Sequence, residues 1–111
     1  MRLLWSEMAS LDIEEMWCDV LEASQDIETA DNYRNGLKTK VKKKAEWPYS
    51  GKKICRLNGE FTGYYGVIFK EYIALYQIEE DAMEVARVMY LKSNYMRRIF
   101  GEIIRFDDVE D

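Results

Sequence analysis

Residues 72–90 read YIALYQIEEDAMEVARVMY: two runs of aromatic, aliphatic and small side chains joined by the acidic knot Glu79-Glu80-Asp81. Their period of two, with β-branched and aromatic residues, predicts a β-hairpin. In the first run Ile73 and Leu75 fall on one side, and Tyr72, Ala74, Tyr76 and Ile78 on the other. Apolar residues on both faces predict central strands, one face lying under helices and the other partly covered. The exit from this hairpin, LKSNYMRRIF at 91–100, carries Lys92, Tyr95, Arg97 and Arg98. That basic, tyrosine-bearing segment fits an active site, a docking surface or a solvated helix start.

Upstream of the hairpin, KICRL (53–57) and TGYYGVIF (62–69) repeat the two-residue period, and the connectors NGE and KE are short. Short connectors force neighbouring strands to run antiparallel. Before residue 50 the period changes to that of helices. Ile13, Met16, Trp17, Val20 and Leu21 form one stripe within residues 7–23, with Ser6 placed as N-cap and Glu7 in the first turn. Asp12, Glu15, Asp19 and Glu22 mark the expected wet face. Residues 24–26 break the pattern and are placed to cap a second helix, 27–47, striped by Ala30, Tyr33, Leu37, Val41 and Ala45. Gly36 weakens its interior by up to ~1 kcal/mol relative to Ala, and Pro48 ends it. Met1–Trp5 can form a strand, 95–104 a last short helix, and 107–111 a charged tail. A strand, a helical hairpin and three or four antiparallel strands define an α+β fold. We expect a single domain over residues 1–106, followed by the acidic tail 107–111.

A length of 111 residues suits one small domain with one core. The chain contains no histidine, which removes the commonest general acid/base and the usual zinc ligand. Cys18 and Cys55 stand far apart in sequence and read as reduced thiols. No metal motif and no cofactor motif is visible, so neither is expected. No apolar run approaches membrane-spanning length, and a cytoplasmic protein without membrane contact is expected. Charge is distributed unevenly: residues 1–33 hold one base and nine acids, and residues 34–56 hold nine bases and one acid. Two readings of the basic block fit, an anionic partner or two paired helices neutralising each other's exposed faces.

The segments SEMASLDIEEMW (6–17), WPYSGKKI (47–54), the hairpin 72–90 and LKSNY (91–95) together resemble the RelE/ParE toxin superfamily of bacterial type II toxin–antitoxin, or plasmid-stabilisation, modules. The resemblance spans roughly residues 2–100 and implies a helical hairpin packed on an antiparallel sheet. It also implies a cognate antitoxin as partner and one of two activities. RelE-like members are ribosome-dependent endoribonucleases that cleave mRNA; ParE-like members act on DNA gyrase without cleavage. A fold that has lost its activity and only binds is a third reading.

Cleavage by attack of a 2′-hydroxyl on the adjacent phosphate needs a base, an acid and cations for the growing charge. Nuclease members place an arginine inside the first hairpin strand, where this chain has Ile73, and many place a histidine near Tyr90. By resemblance the remaining catalytic candidates are Arg87, Lys92, Tyr95 and Arg97. The nucleic-acid-binding candidates are Lys43, Lys44, Lys52, Lys53 and Arg98. The net charge of −5 runs against binding a polyanion such as ribosomal RNA.

Overall fold

The computed structural model describes residues 1–92, 97 and 105–106. Its elements are β1 (Arg2–Trp5), α1 (Glu7–Ser24), α2 (Ile27–Lys44), a 3-10 turn (Pro48–Ser50), β2 (Lys52–Cys55), β3 (Phe61–Phe69), β4 (Tyr72–Glu79), β5 (Ala82–Tyr90) and β6 (Arg105–Phe106). The α+β class and the helical hairpin on an antiparallel sheet hold. The acidic tail 107–111 and most of the expected helix 95–104 lie outside the described residues.

Among the described residues the sheet has six strands, in the order β1-β5-β4-β3-β2-β6. The strands β2 to β5 are antiparallel neighbours, as their short connectors require. Two strands extend it beyond expectation. β1 pairs in parallel with β5, Arg2 opposite Ala82 and Trp5 opposite Val85, and β6 pairs with β2 through Ile54 and Phe106.

Ser6 caps α1 as expected: its Oγ accepts from the Ala9 N–H at 3.0 Å, and its hydroxyl donates to the Ala86 carbonyl at 2.8 Å. Gln25 closes α1 in the left-handed region, φ 57°, its N–H donating to the Leu21 carbonyl. Asp26 occupies the N-cap position of α2, but its carboxylate accepts from the Thr29 hydroxyl and no backbone N–H. The helix α2 ends at Lys44, three residues before the expected Trp47, because Glu46 and Trp47 donate to Lys43 and Lys44 in tighter turns ahead of Pro48.

Helices and sheet share one core: Ala9, Ile13 and Met16 of α1, Leu37 and Val41 of α2, and Tyr65, Val67, Ala74, Tyr76, Met83, Val85 and Val88 of the sheet. Each large apolar side chain buried there contributes about 1.5–3 kcal/mol. Gly36 has its explanation in this packing. The ring of Phe69 lies where a Cβ at residue 36 would stand, so the helix gives up propensity to let β3 approach. The opposite sheet face carries a smaller cluster of Ile54, Ile73, Leu75 and Met89. Strand β4 is therefore buried on both faces, as its sequence predicts.

Candidate functional site

Ile73, the residue that the resemblance sets at the arginine position of nuclease members, is wholly buried in the smaller cluster. Such a side chain neither reaches a phosphate nor stabilises charge.

Arg87 stands in the neighbouring strand, two residues before Met89, the partner of Ile73. Its strand neighbour is Leu75, and the ladder slips between Leu75 and Tyr76, leaving Ala86 as an extra residue in β5. Parallel strand β1 stops at Trp5 opposite Val85, so the edge of β5 beyond that point has no strand beside it among the described residues. α1 closes this edge with side chains. Ser6 takes the Ala86 carbonyl, and Asp12 accepts from the Val88 N–H at 2.9 Å. The same carboxylate receives Arg87 Nε at 2.8 Å and Nη2 at 3.2 Å. This corrects the expectation that Asp12 belongs to the wet face of α1: it is 9% exposed. The physical reason is helical phase, since Asp12 stands three residues after buried Ala9 and four before buried Met16. Arg87 pairs across the fold with Asp12, 75 residues away in sequence.

Beyond this lock, α1 and β5 form a small cleft of about 70 Å³ lined by Glu15, Asp19, Tyr72, Met89 and Tyr90 among others. Its charged lining is acidic throughout: Glu15 and Asp19, with the Asp12 that Arg87 pairs. The phenols nearby are tuned away from base chemistry. Burial pushes the Tyr72 hydroxyl up to about 12, with the charge of Asp19 adding to it. Tyr33 is raised because its hydroxyl donates to the Glu71 carboxylate at 2.8 Å, with burial second. Burial also raises Tyr65 and, further, Tyr76, whose hydroxyl donates to the Pro48 carbonyl. These four phenols stay protonated at neutral pH.

The other cationic candidates each have their own setting among the described residues. Lys92 is exposed just past β5, beside Leu91, whose N–H donates to the Glu71 carbonyl at the β3–β4 turn. Arg97 is exposed; Tyr95 and Arg98 lie outside the described residues. Lys53 sits over the Phe61 ring, its Nζ 5.6 Å from the centroid, and faces Tyr65 across the ladder. Lys52 pairs with Gly66, one residue along the strand, and so points to the other sheet face. Lys44 Nζ donates to Ser50 Oγ at 3.1 Å, and Lys43 is exposed on α2.

Neutralisation between the helices accounts for little of the basic block. Arg34 joins Glu14 at 3.5 Å and stands over the Trp17 ring, whose indole N–H donates to Asp31. Lys42, Lys43 and Lys53 have no ion pair within the described residues. Among the described residues no cluster of acidic or cysteine side chains could hold a metal ion, and no helix is long and apolar enough to cross a membrane. Cys18 and Cys55 are free thiols.

Two features went unread in the sequence. Asp12 was recoverable from its phase against Ala9 and Met16. The exposed aromatic group of Trp47, Tyr49 and Phe61 was not, because exposure of these rings is decided by tertiary packing.

The family model described as "ParE toxin of type II toxin-antitoxin system, parDE" matches residues 3–95. No curated protein matches the sequence. Nine chains of solved structures match the fold. One of them, described as "Chromosomal ParDE TA system from P. aeruginosa", superposes with a TM-score of 0.68 at 15% sequence identity, over 83% of this chain and 97% of that one. At that identity the likeness concerns the fold.

Proposed function

The chain belongs to the ParE toxin family of type II toxin–antitoxin systems, and on that premise we propose that it acts by binding a protein target, DNA gyrase, without cleaving nucleic acid. A cognate antitoxin is its partner as the toxin of such a system. The observation that carries the non-catalytic reading is the engagement of Arg87. Its guanidinium forks onto the nearly buried Asp12, which also holds the strand edge through Val88. A cation used in this way is not available to a phosphorane. Ile73 offers no substitute, and phenols raised above their ordinary value serve poorly as bases at neutral pH.

The mRNA-cleaving alternative would have to run on Lys92 and Arg97, which are exposed, with Tyr95 and Arg98. It also meets the field of a chain whose net charge is −5. A supercoiling assay separates the two. Purified protein added to gyrase and relaxed plasmid should block supercoiling in proportion to its concentration. Undiminished supercoiling at large molar excess would remove gyrase as the target.

A further inference from the structure

The C-terminal end of α2, the 3-10 turn and strands β2 and β3 carry a basic and aromatic ledge. Trp47 is 73% exposed and Tyr49 67% exposed, the highest values among the large apolar side chains of the described residues. Neither is loosely held. The Trp47 N–H donates to the Lys44 carbonyl at 2.9 Å, and its own carbonyl accepts from both the N–H and the hydroxyl of Ser50. Tyr49 and Phe61 meet Tyr65 edge-on, with centroids 6.1 and 5.1 Å away. Tyr65 in turn stacks on Tyr76 at 5.4 Å, and Tyr76 is wholly buried. The Tyr49 and Phe61 rings therefore stand on the core before any partner arrives, and the backbone that carries Trp47 is fixed by its turn. Lys53 stands over Phe61, Lys44 is bonded to Ser50, and exposed Lys42 and Lys43 lie in the last turn of α2, just ahead of Trp47. Glu46 is the one acid in the segment 34–56.

We propose that this ledge binds an acidic polypeptide segment that carries an apolar anchor. Charge complementarity selects an anion, since three of the lysines are without an ion pair among the described residues. The rings select against a nucleic acid strand. Stacked bases need a series of open ring faces, whereas one face of Phe61 holds the Lys53 ammonium, and Phe61 and Tyr49 are both fixed edge-on to Tyr65. A long polyanion would also run from the ledge into the field of α1, in a segment of nine acids and one base. A short acidic segment avoids that field and can bury Trp47, a residue type that dominates the centres of protein interfaces. The inference stands on the chemistry of the ledge and does not depend on gyrase being the target.

The test is a titration of the full chain, followed by its amide and indole NMR signals, with a short peptide of Glu and Asp around one central Leu. Shifts should map to Trp47, Tyr49, Lys53 and Phe61, and binding should weaken as salt is added. Trp47→Ala and Lys53→Glu should each reduce affinity about tenfold, and both residues are exposed enough for the fold to survive. Ile27→Ser, at the other end of α2, should leave affinity unchanged. Absence of shifts at the ledge overturns the proposal, as does unchanged affinity in both ledge variants. Tighter binding of an oligothymidylate of matching length also overturns it and assigns the ledge to nucleic acid.

Discussion

Replacing Arg87 with alanine tests the feature that separates binding from cleavage in this chain. The substitution removes two charge-assisted hydrogen bonds, at 2.8 and 3.2 Å, from a carboxylate that is 9% exposed. Each such bond contributes about 1.5–3 kcal/mol when its partner stays buried. Two features lower the total. The guanidinium side chain is itself 26% exposed, and Asp12 keeps its bond from the Val88 N–H. A net loss of about 3 kcal/mol follows, at the low end for breaking a buried pair from one side. Asp12→Ala should cost about 2–3 kcal/mol, because it also strips the Val88 N–H of its acceptor. The double variant should cost less than the sum, with a coupling energy of about 2 kcal/mol.

Urea unfolding followed by tryptophan fluorescence measures all three. With a slope of about 1.5 kcal/mol per molar urea, Arg87→Ala should lower the midpoint by roughly 2 M. A shift below about 0.5 kcal/mol, or strict additivity in the double variant, would refute the reasoning. Either result would mean that the guanidinium is not committed to Asp12, and it would return Arg87 to the list of phosphate-binding candidates.

Other perturbations report on the frame around this pair. Gly51→Ala would place a methyl on the hydroxyl of wholly buried Tyr76, and calorimetry should show a loss of about 1–3 kcal/mol. Glu80, with φ 51° in the β4–β5 turn, pays for a left-handed conformation that glycine adopts freely, so Glu80→Gly should raise stability by about 0.5–1 kcal/mol in the same measurement. High pH should destabilise the fold. Tyr72 ionises near 12 in the folded chain against 10.0 ordinarily, so its contribution is intact below pH 10 and is lost as pH rises towards 12. Tyr72→Phe should move the alkaline unfolding midpoint upwards, read by circular dichroism against pH.

Local chemistry made most of the fold legible. The period of two in residues 72–90 and the short acidic knot specify the central hairpin, and Ser6 announces α1 through a cap that the structure contains. The parallel pairing of β1 with β5 was hidden because its partners, such as Arg2 and Ala82, are distant in sequence and no turn brings them together. The two-residue strand β6 is too short to carry a period. Gly36 reads as a defect in a helix until Phe69 is placed against it. At the candidate site, Ile73 was legible as a departure from the nuclease pattern. The role of Arg87 was not, because it depends on a bulge at Ala86 and on a strand edge left open by the length of β1. The basic block was visible as composition, but its division between Lys53 on one sheet face and Lys52 on the other required the register.

The most direct test of action by binding is a cell-free translation reaction with purified protein, in which the 5′ ends of the mRNA are mapped. The account predicts intact mRNA at every concentration of the chain, including concentrations that block gyrase. New 5′ ends within ribosome-bound codons would contradict it, and would place catalysis on the basic exit of the central hairpin despite the engagement of Arg87 with Asp12.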